Sequence, residues 1–147
     1  DAKRDWGYSK EYVEAMWMIL QHEKPDDFVI ATNETHTVRD FLKEAFNLFG
    51  LNFEDFLEIS DRYKRPAEVP ALLGDYSKAK RILGWEPKTK FKDLVRMMML
   101  SDLKEKLEQK GLVPIDETEK LDDIYIEKGI ELARKIKPEY KMIQSGI

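Results

Sequence analysis

The segment from Tyr63 to Pro87 constrains the fold of this chain most, because prolines and glycines divide it into short pieces. Pro66 fixes its own φ at about −65° and favours an extended conformation for Arg65. Arg65 and Glu68 can therefore project into one cleft. A guanidinium pairs well with phosphate oxygens, and a carboxylate accepts hydrogen bonds from sugar hydroxyls. The pair suits a nucleotide diphosphate, whereas a surface ion pair between the two side chains is the alternative interpretation.

Apolar residues that recur at helical spacing predict four helices before residue 112. The predicted helices run from 9 to before Pro25, from 37 to 50, from 75 or 77 to 84, and from 89 to 111. Ser9 and Thr89 are the predicted N-caps of the first and the last, and Thr37 with Asp40 has capping-box spacing. The apolar stripe of the first helix is interpreted as core; its members are Tyr12, Val13, Met16, Trp17, Ile19 and Leu20.

Three short strands are predicted between these helices. Residues 28–32 are a continuous apolar run, residues 56–59 alternate apolar and charged side chains, and residues 69–73 contain Pro70, which favours an edge strand. His36 and Asp75 each invite a catalytic interpretation. We interpret His36 as a turn residue beside a helix cap and Asp75 as the cap of the third helix.

The composition changes after Pro114. Residues 116–123 are acidic without periodicity, which is typical of a linker, and residues 123–136 have helical periodicity that Pro138 should end. We therefore predict a domain at residues 1–111 and a linker with a helical extension at residues 112–147. We expect the first part to fold without the second.

The composition of the 147-residue chain excludes several classes of function. It contains no cysteine, which excludes disulfides, thiolate catalysis and cysteine-based zinc sites and fits a reducing cytoplasm. A net charge of −4 without long basic runs argues against nucleic acid as the partner, and no apolar run is long enough to predict a membrane span. The sequence starts without methionine inside a motif, so we interpret it as part of a longer protein.

The order of motifs resembles the GDP-mannose 4,6-dehydratase family of extended short-chain dehydrogenase/reductases. The similar motifs, within about residues 3–102, are RDWGY from Arg4, EYVEAMW from Glu11, RPAEVP from Arg65 and LLGDYSKAKRILGWEP from Leu72. The resemblance implies an α/β fold, the C-terminal substrate-binding part of such an enzyme, with helices packed on short strands and no complete Rossmann domain. It implies that Arg4 and Arg65 bind the diphosphate of GDP-mannose or a related nucleotide sugar and that Glu68 binds a sugar hydroxyl. It also implies that the intact enzyme is a cytoplasmic homo-oligomer.

The chain lacks the sequence elements that would hold and use the family's cofactor, NADP. It contains no GxGxxG turn for a pyrophosphate. Tyr76 and Lys80 have the Tyr-x-x-x-Lys spacing, but the family carries its acid–base pair in the cofactor-binding half. We therefore assign no catalytic, cofactor-binding or metal-binding residue, place NADP on the missing N-terminal domain and expect this chain alone to be inactive. A non-catalytic interaction module of the same fold, or a related nucleotide-sugar epimerase or reductase, remains an alternative.

Overall fold

The structure, a computed structural model, describes residues 1–60, 67, 69–112 and 121–144. These residues are mostly helical, with one two-stranded sheet. The elements are β1 (Lys3–Arg4), α1 (Ser9–Gln21), β2 (His36–Thr37), α2 (Val38–Asn47), a 3-10 turn (Phe53–Asp55), α3 (Ser77–Leu83), α4 (Phe91–Gln109) and α5 (Leu121–Gln144). None of the helices in the described ranges is both long and apolar enough to cross a membrane.

The chain divides into two compact units. The first contains Asp1–Phe41 and Arg62–Leu94, and the second contains Leu42–Asp61 and Val95–Ile147. The two units do not divide near residue 111, where the sequence analysis places a domain boundary. That boundary stays a prediction.

The sheet lies in the first unit and is smaller than the sequence predicted. β1 pairs antiparallel with β2, with Lys3 opposite Thr37 and Arg4 opposite His36. On the other side of β1, the Lys3 N–H donates to the Pro70 carbonyl (2.9 Å), and the Lys3 carbonyl accepts from the Leu72 N–H (3.0 Å). The strand predicted at residues 69–73 is thus reduced to a single parallel bridge between Lys3 and Ala71.

Two further strand predictions were wrong. Residues 28–32 form no strand, although Ala31 and Thr32 are buried. Residues 56–59 follow the 3-10 turn and also form no strand. Apolar runs show that a segment is buried, whereas a strand also needs backbone partners at matching spacing.

Ala15, Ala79 and Trp85 form the buried core of the first unit, between α1, α3 and the residues that follow α3. Tyr12 and Tyr76 contact Trp85 edge to face, with ring centroids 6.0 Å apart in each pair. The Trp85 Nε1–H donates to the Glu11 carbonyl (3.0 Å), so the one polar atom of the indole is satisfied. Small alanines on both helices allow this close packing.

Leu100, Leu107 and Tyr125 form the core of the second unit, and Leu103, Ile126 and Leu132 pack against it. Tyr125 lies beyond the predicted linker, and its hydroxyl donates to Glu108 Oε1 (2.9 Å). This packing weighs against an independent fold of residues 1–111, which stays an untested prediction. α5 also continues past Pro138, where the sequence predicted its end.

The helix ends follow the predicted cap chemistry in some places and not in others. Thr37 and Asp40 form a reciprocal capping box, with both bonds at 2.9 Å. Gly84 ends α3 with a φ of 73°, in the left-handed region that favours glycine. The predicted N-caps Ser9 and Thr89 were wrong: Ser9 is the first residue of α1, and the Thr89 hydroxyl donates to Glu11 instead.

Candidate functional site

Arg4 is the one predicted substrate-binding residue that lies within the described part of the chain. Arg65 and Glu68 lie outside the described residues. The Arg4 Nη1 donates to the Lys3 carbonyl (2.7 Å) and to the Val69 carbonyl (2.9 Å). This second bond places the Arg4 guanidinium at the backbone of Val69, which follows Glu68 in the sequence.

The backbone of β1 supports this position of Arg4. Lys3 hydrogen-bonds Pro70 and Leu72, and the Val38 N–H donates to the Ala2 carbonyl (3.3 Å) on the β2 side. Arg4 is therefore held between two other segments of the first unit. Side chains on such paired backbone are positioned more rigidly than side chains on an isolated loop.

A cavity of about 330 Å³ lies beside Arg4. Its polar wall residues are Arg4, Asp5 and Tyr12, and the rest of its wall is the stretches 29–31 and 72–74. A second cavity of about 320 Å³ shares Leu73 and Gly74 with the first and is also lined by Asn33 and Asp75. A guanidinium at the edge of a mostly apolar cavity can bind an anionic group, and the apolar walls limit the access of water to that group.

Asp5 joins the segments that enclose the first cavity. Its carboxylate accepts from the Thr32 hydroxyl (2.6 Å), the Thr32 N–H (2.9 Å) and the Gly74 N–H (3.2 Å). An added methyl group at Gly74 would lie 2.3 Å from the Ala31 Cβ, so only glycine allows the two segments to approach this closely. The sequence analysis missed Asp5, whose position directly after Arg4 was the only available signal.

Tyr12, on α1, closes the cavity from the helix side. Burial, together with the negative charges of Asp5 and Glu11, raises the pKa of the Tyr12 hydroxyl. Tyr12 therefore stays protonated near neutral pH and can donate a hydrogen bond, but it is poorly suited to act as a base. Gly7 leaves room for this ring, since a Cβ at Gly7 would lie 2.1 Å from the Tyr12 hydroxyl oxygen.

His36 and Asp75 have structural roles. The His36 ring stacks on Phe91 with centroids 3.8 Å apart, and its Nε2 lies 3.3 Å from Glu34 Oε2. Asp75 Oδ1 accepts from the Ser77 N–H (2.8 Å) and from the Ser77 hydroxyl. The prediction that Asp75 or Ser77 is the N-cap of α3 was wrong, because Tyr76 holds that position and Ser77 is the first helical residue. The hydroxyl and N–H of Ser77 lower the pKa of the Asp75 carboxyl.

The fold resembles part of a solved structure. The structure of RMD from Pseudomonas aeruginosa complexed with NADPH matches 72% of this chain and 34% of its own, with a TM-score of 0.59 and 21% identity. At that identity the likeness concerns the fold alone.

The sequence comparisons define the family. A sequence model of GDP-mannose 4,6 dehydratase matches residues 1–98, so the chain belongs to the GDP-mannose 4,6-dehydratase family. It is 55% identical over 112 residues to GDP-mannose 4,6 dehydratase 2 of Arabidopsis thaliana, which covers 76% of this chain and 30% of the relative. It is 58% identical over 102 residues to GDP-mannose 4,6 dehydratase 1 of the same plant, covering 69% of this chain and 28% of the relative. The chain thus spans less than a third of the length of these relatives.

Proposed function

We propose that this chain is the substrate-binding part of a GDP-mannose 4,6-dehydratase. In the intact enzyme, GDP-mannose would be converted to GDP-4-keto-6-deoxymannose with NADP. The observation that carries the proposal is the 2.9 Å bond from Arg4 Nη1 to the Val69 carbonyl, beside the segment with Arg65 and Glu68. This contact supports a site in which two guanidiniums face one diphosphate.

In this proposal Arg4 and Arg65 bind the diphosphate, and Glu68 accepts a hydrogen bond from a sugar hydroxyl. Charge-assisted bonds from two guanidiniums fix both the position and the orientation of the diphosphate. The sugar attached to it is then held in one place, and orientation alone can supply about 7 kcal/mol or more of a reaction barrier. The contribution of this chain is therefore substrate positioning.

The described residues do not fit NADP. Their glycines occur singly, and none forms the glycine-rich turn at a helix N-terminus that holds a dinucleotide pyrophosphate. We assign NADP and the hydride transfer to the remainder of a longer dehydratase. Accordingly, we expect no dehydratase activity from this chain alone with GDP-mannose and NADP.

The test is a calorimetric titration of GDP into the chain and into five variants. Arg4→Ala and Arg65→Ala should each weaken binding roughly 10- to 150-fold, the range for losing a hydrogen bond to a charged group. Arg65→Lys should recover part of this loss because it keeps the charge but not the planar fork. Glu68→Gln should lose less, since its amide oxygen still accepts a hydrogen bond.

Arg96→Ala is the matched control. Arg96 is an exposed arginine of α4 whose Nη2 lies 3.9 Å from Asp123 Oδ1, in the second unit. Its replacement removes one positive charge without touching the proposed site, so GDP affinity should stay unchanged. Equal GDP affinity for the wild type and for both Arg4→Ala and Arg65→Ala would contradict the site assignment.

A further inference from the structure

The Tyr12 hydroxyl has a fixed position but no hydrogen-bond partner among the described residues. The Tyr12 ring packs edge to face on Trp85, with the ring centroids 6.0 Å apart. At the other end of the ring, the hydroxyl oxygen lies so close to Gly7 that a Cβ there would be 2.1 Å from it. These contacts determine where the hydroxyl lies, and its proton stays available for a hydrogen bond to another molecule.

Tyr12 is held by the core of its own unit, unlike much of the apolar stripe of α1. It packs against the buried cluster that contains Trp85. The prediction that the whole stripe is core was wrong, because other members of it are between 59% and 80% exposed: Val13, Met16, Trp17 and Leu20. The position of the Tyr12 ring does not depend on those exposed side chains, so the intact chain is suited to test what its hydroxyl binds.

The charged groups around Tyr12 do not take its proton. Arg4 shares the wall of the cavity with Tyr12, but a guanidinium carries only donors. The Asp5 carboxylate already accepts hydrogen bonds from the neighbouring segments, and the Glu11 carboxylate accepts them from the residues that precede α4. Burial and these two negative charges raise the pKa of Tyr12, so the hydroxyl keeps its proton and acts as a donor.

The charges around the cavity indicate which kind of oxygen this donor suits. Arg4 provides a positive charge for a phosphate, whereas the Tyr12 hydroxyl lies in the field of the two carboxylates. Because these carboxylates repel a further anion at the hydroxyl, a neutral oxygen is favoured there over a phosphate oxygen. The stretches 29–31 and 72–74 make the rest of the wall apolar, which suits the C–H groups of a sugar.

We propose that the Tyr12 hydroxyl donates a hydrogen bond to a sugar hydroxyl of a bound nucleotide sugar, next to the phosphate that Arg4 binds. The inference rests on the proposed function, because Arg4 must bind the phosphate for the sugar to lie in this cavity. The ribose and the mannose of GDP-mannose are both attached to the diphosphate, and each offers hydroxyl oxygens. Tyr12 is thus a further binding residue, which positions a sugar while Arg4 binds the diphosphate.

The experiment is a calorimetric titration of GDP-mannose, GDP and inorganic pyrophosphate into the intact chain and into Tyr12→Phe. Phenylalanine keeps the ring on Trp85 and removes the hydroxyl. GDP-mannose should bind roughly 2- to 12-fold more weakly, the range for one hydrogen bond between neutral groups. Pyrophosphate has no sugar and should bind as tightly as to the wild type. An equal loss with GDP assigns the contact to the ribose, and an unchanged GDP affinity assigns it to the mannose.

Tyr76→Phe is the matched control. The Tyr76 ring also lies edge to face on Trp85, with the centroids 6.0 Å apart, but Tyr76 lines neither of the two cavities. The affinities for all three ligands should therefore stay unchanged in this variant. Both variants should melt within about 2 °C of the wild type, since the described fold uses neither hydroxyl as a hydrogen-bond donor.

The inference is wrong if Tyr12→Phe binds GDP-mannose as tightly as the wild type or if Tyr76→Phe loses as much affinity. An equal loss of pyrophosphate affinity in Tyr12→Phe would place the hydroxyl on a phosphate, and a melting temperature lower by about 5 °C or more would assign it to the fold. Arg4→Ala tests the proposed function separately. Weaker pyrophosphate binding by Arg4→Ala with no effect of Tyr12→Phe would overturn only the inference. Unchanged pyrophosphate binding by Arg4→Ala, or no binding by the wild type, would contradict the proposed function and the inference with it.

Discussion

The carboxylate of Glu11, in the first turn of α1, accepts hydrogen bonds from the hydroxyl (2.6 Å) and the N–H (3.1 Å) of Thr89. A third bond comes from the Lys88 N–H (3.1 Å). These bonds join α1 to the residues that precede α4 and satisfy two backbone N–H groups there. One side chain thus holds together parts of the first unit that are 78 residues apart in the sequence.

Glu11→Ala should lower the free energy of unfolding by about 2–4 kcal/mol, because it leaves several donors without their charged acceptor. Glu11→Gln should lose about half as much, since its amide oxygen still accepts. Urea unfolding followed by circular dichroism measures both. Glu14→Ala, at an exposed glutamate of the same helix, is the control and should change stability by less than about 0.5 kcal/mol. An equal effect at both positions would mean that the Glu11 bonds contribute nothing.

Truncation after Gly111 should destabilise the second unit. Without α5, the buried side chains of Leu100 and Leu107 lose Tyr125 and become exposed to water. The truncated chain should show a lower melting temperature and stronger binding of a hydrophobic dye. Tyr125→Phe keeps the ring but removes the bond to Glu108, so it should lower the melting temperature by less. An unchanged melting temperature on truncation would confirm the prediction that residues 1–111 fold without the rest.

Gly129→Ala should destabilise the chain although alanine is the better helix former. A Cβ at Gly129 would lie 2.7 Å from Cε1 of Phe49 and 3.0 Å from Cδ2 of Leu103. The gain in helix propensity is about 1 kcal/mol, whereas overpacking costs about 1–3 kcal/mol, so we expect a net loss. Glu127→Ala, at an exposed position of α5, is the control for propensity alone. A higher melting temperature for Gly129→Ala would show that Phe49 moves aside without cost.

Glu131 should make α5 more stable above pH 4.5 than below it. Hydrogen bonds and ion pairs with Lys128 (2.8 Å) and Lys135 (2.7 Å) lower the pKa of Glu131 from 4.5 to about 2. Because the pKa is lowered by folding, the stabilisation is complete above the unfolded value of 4.5 and is lost as the pH falls towards 2.

Melting curves between pH 6 and pH 2 test this prediction. Glu131→Gln should reduce the loss of stability on acidification, whereas Glu127→Gln should leave it unchanged. Both lysines are partly or fully exposed, so added salt should weaken the difference. An identical pH profile for the wild type and Glu131→Gln would mean that these ion pairs do not stabilise the helix.

The helices could be predicted from the sequence because their signals are local. Periodic apolar residues, the capping box of Thr37 and Asp40 and the glycine after α3 all lie within the elements that they define. The strands were overestimated, since residues 28–32 are apolar enough to be buried but find no strand partner among the described residues. Pro138 lies inside α5, so the residue that predicted the end of this helix does not end it.

The sequence points to only one of the polar residues that line the cavity. Arg4 could be singled out by its motif, but Asp5 and Tyr12 could not, since their roles depend on segments far away in the sequence. Nor does the sequence show that one side of α1 is exposed, because apolar spacing is the same for a core and for an interface.

The bonds of Asp5 also determine when the candidate site can form during folding. They connect residues that are 27 and 69 positions apart, so chain closure over long loops must come before them. Local helices form much faster than such distant contacts. We therefore expect the cavity beside Arg4 to form late in folding, so that a partly folded chain can be rich in helix before this cavity exists.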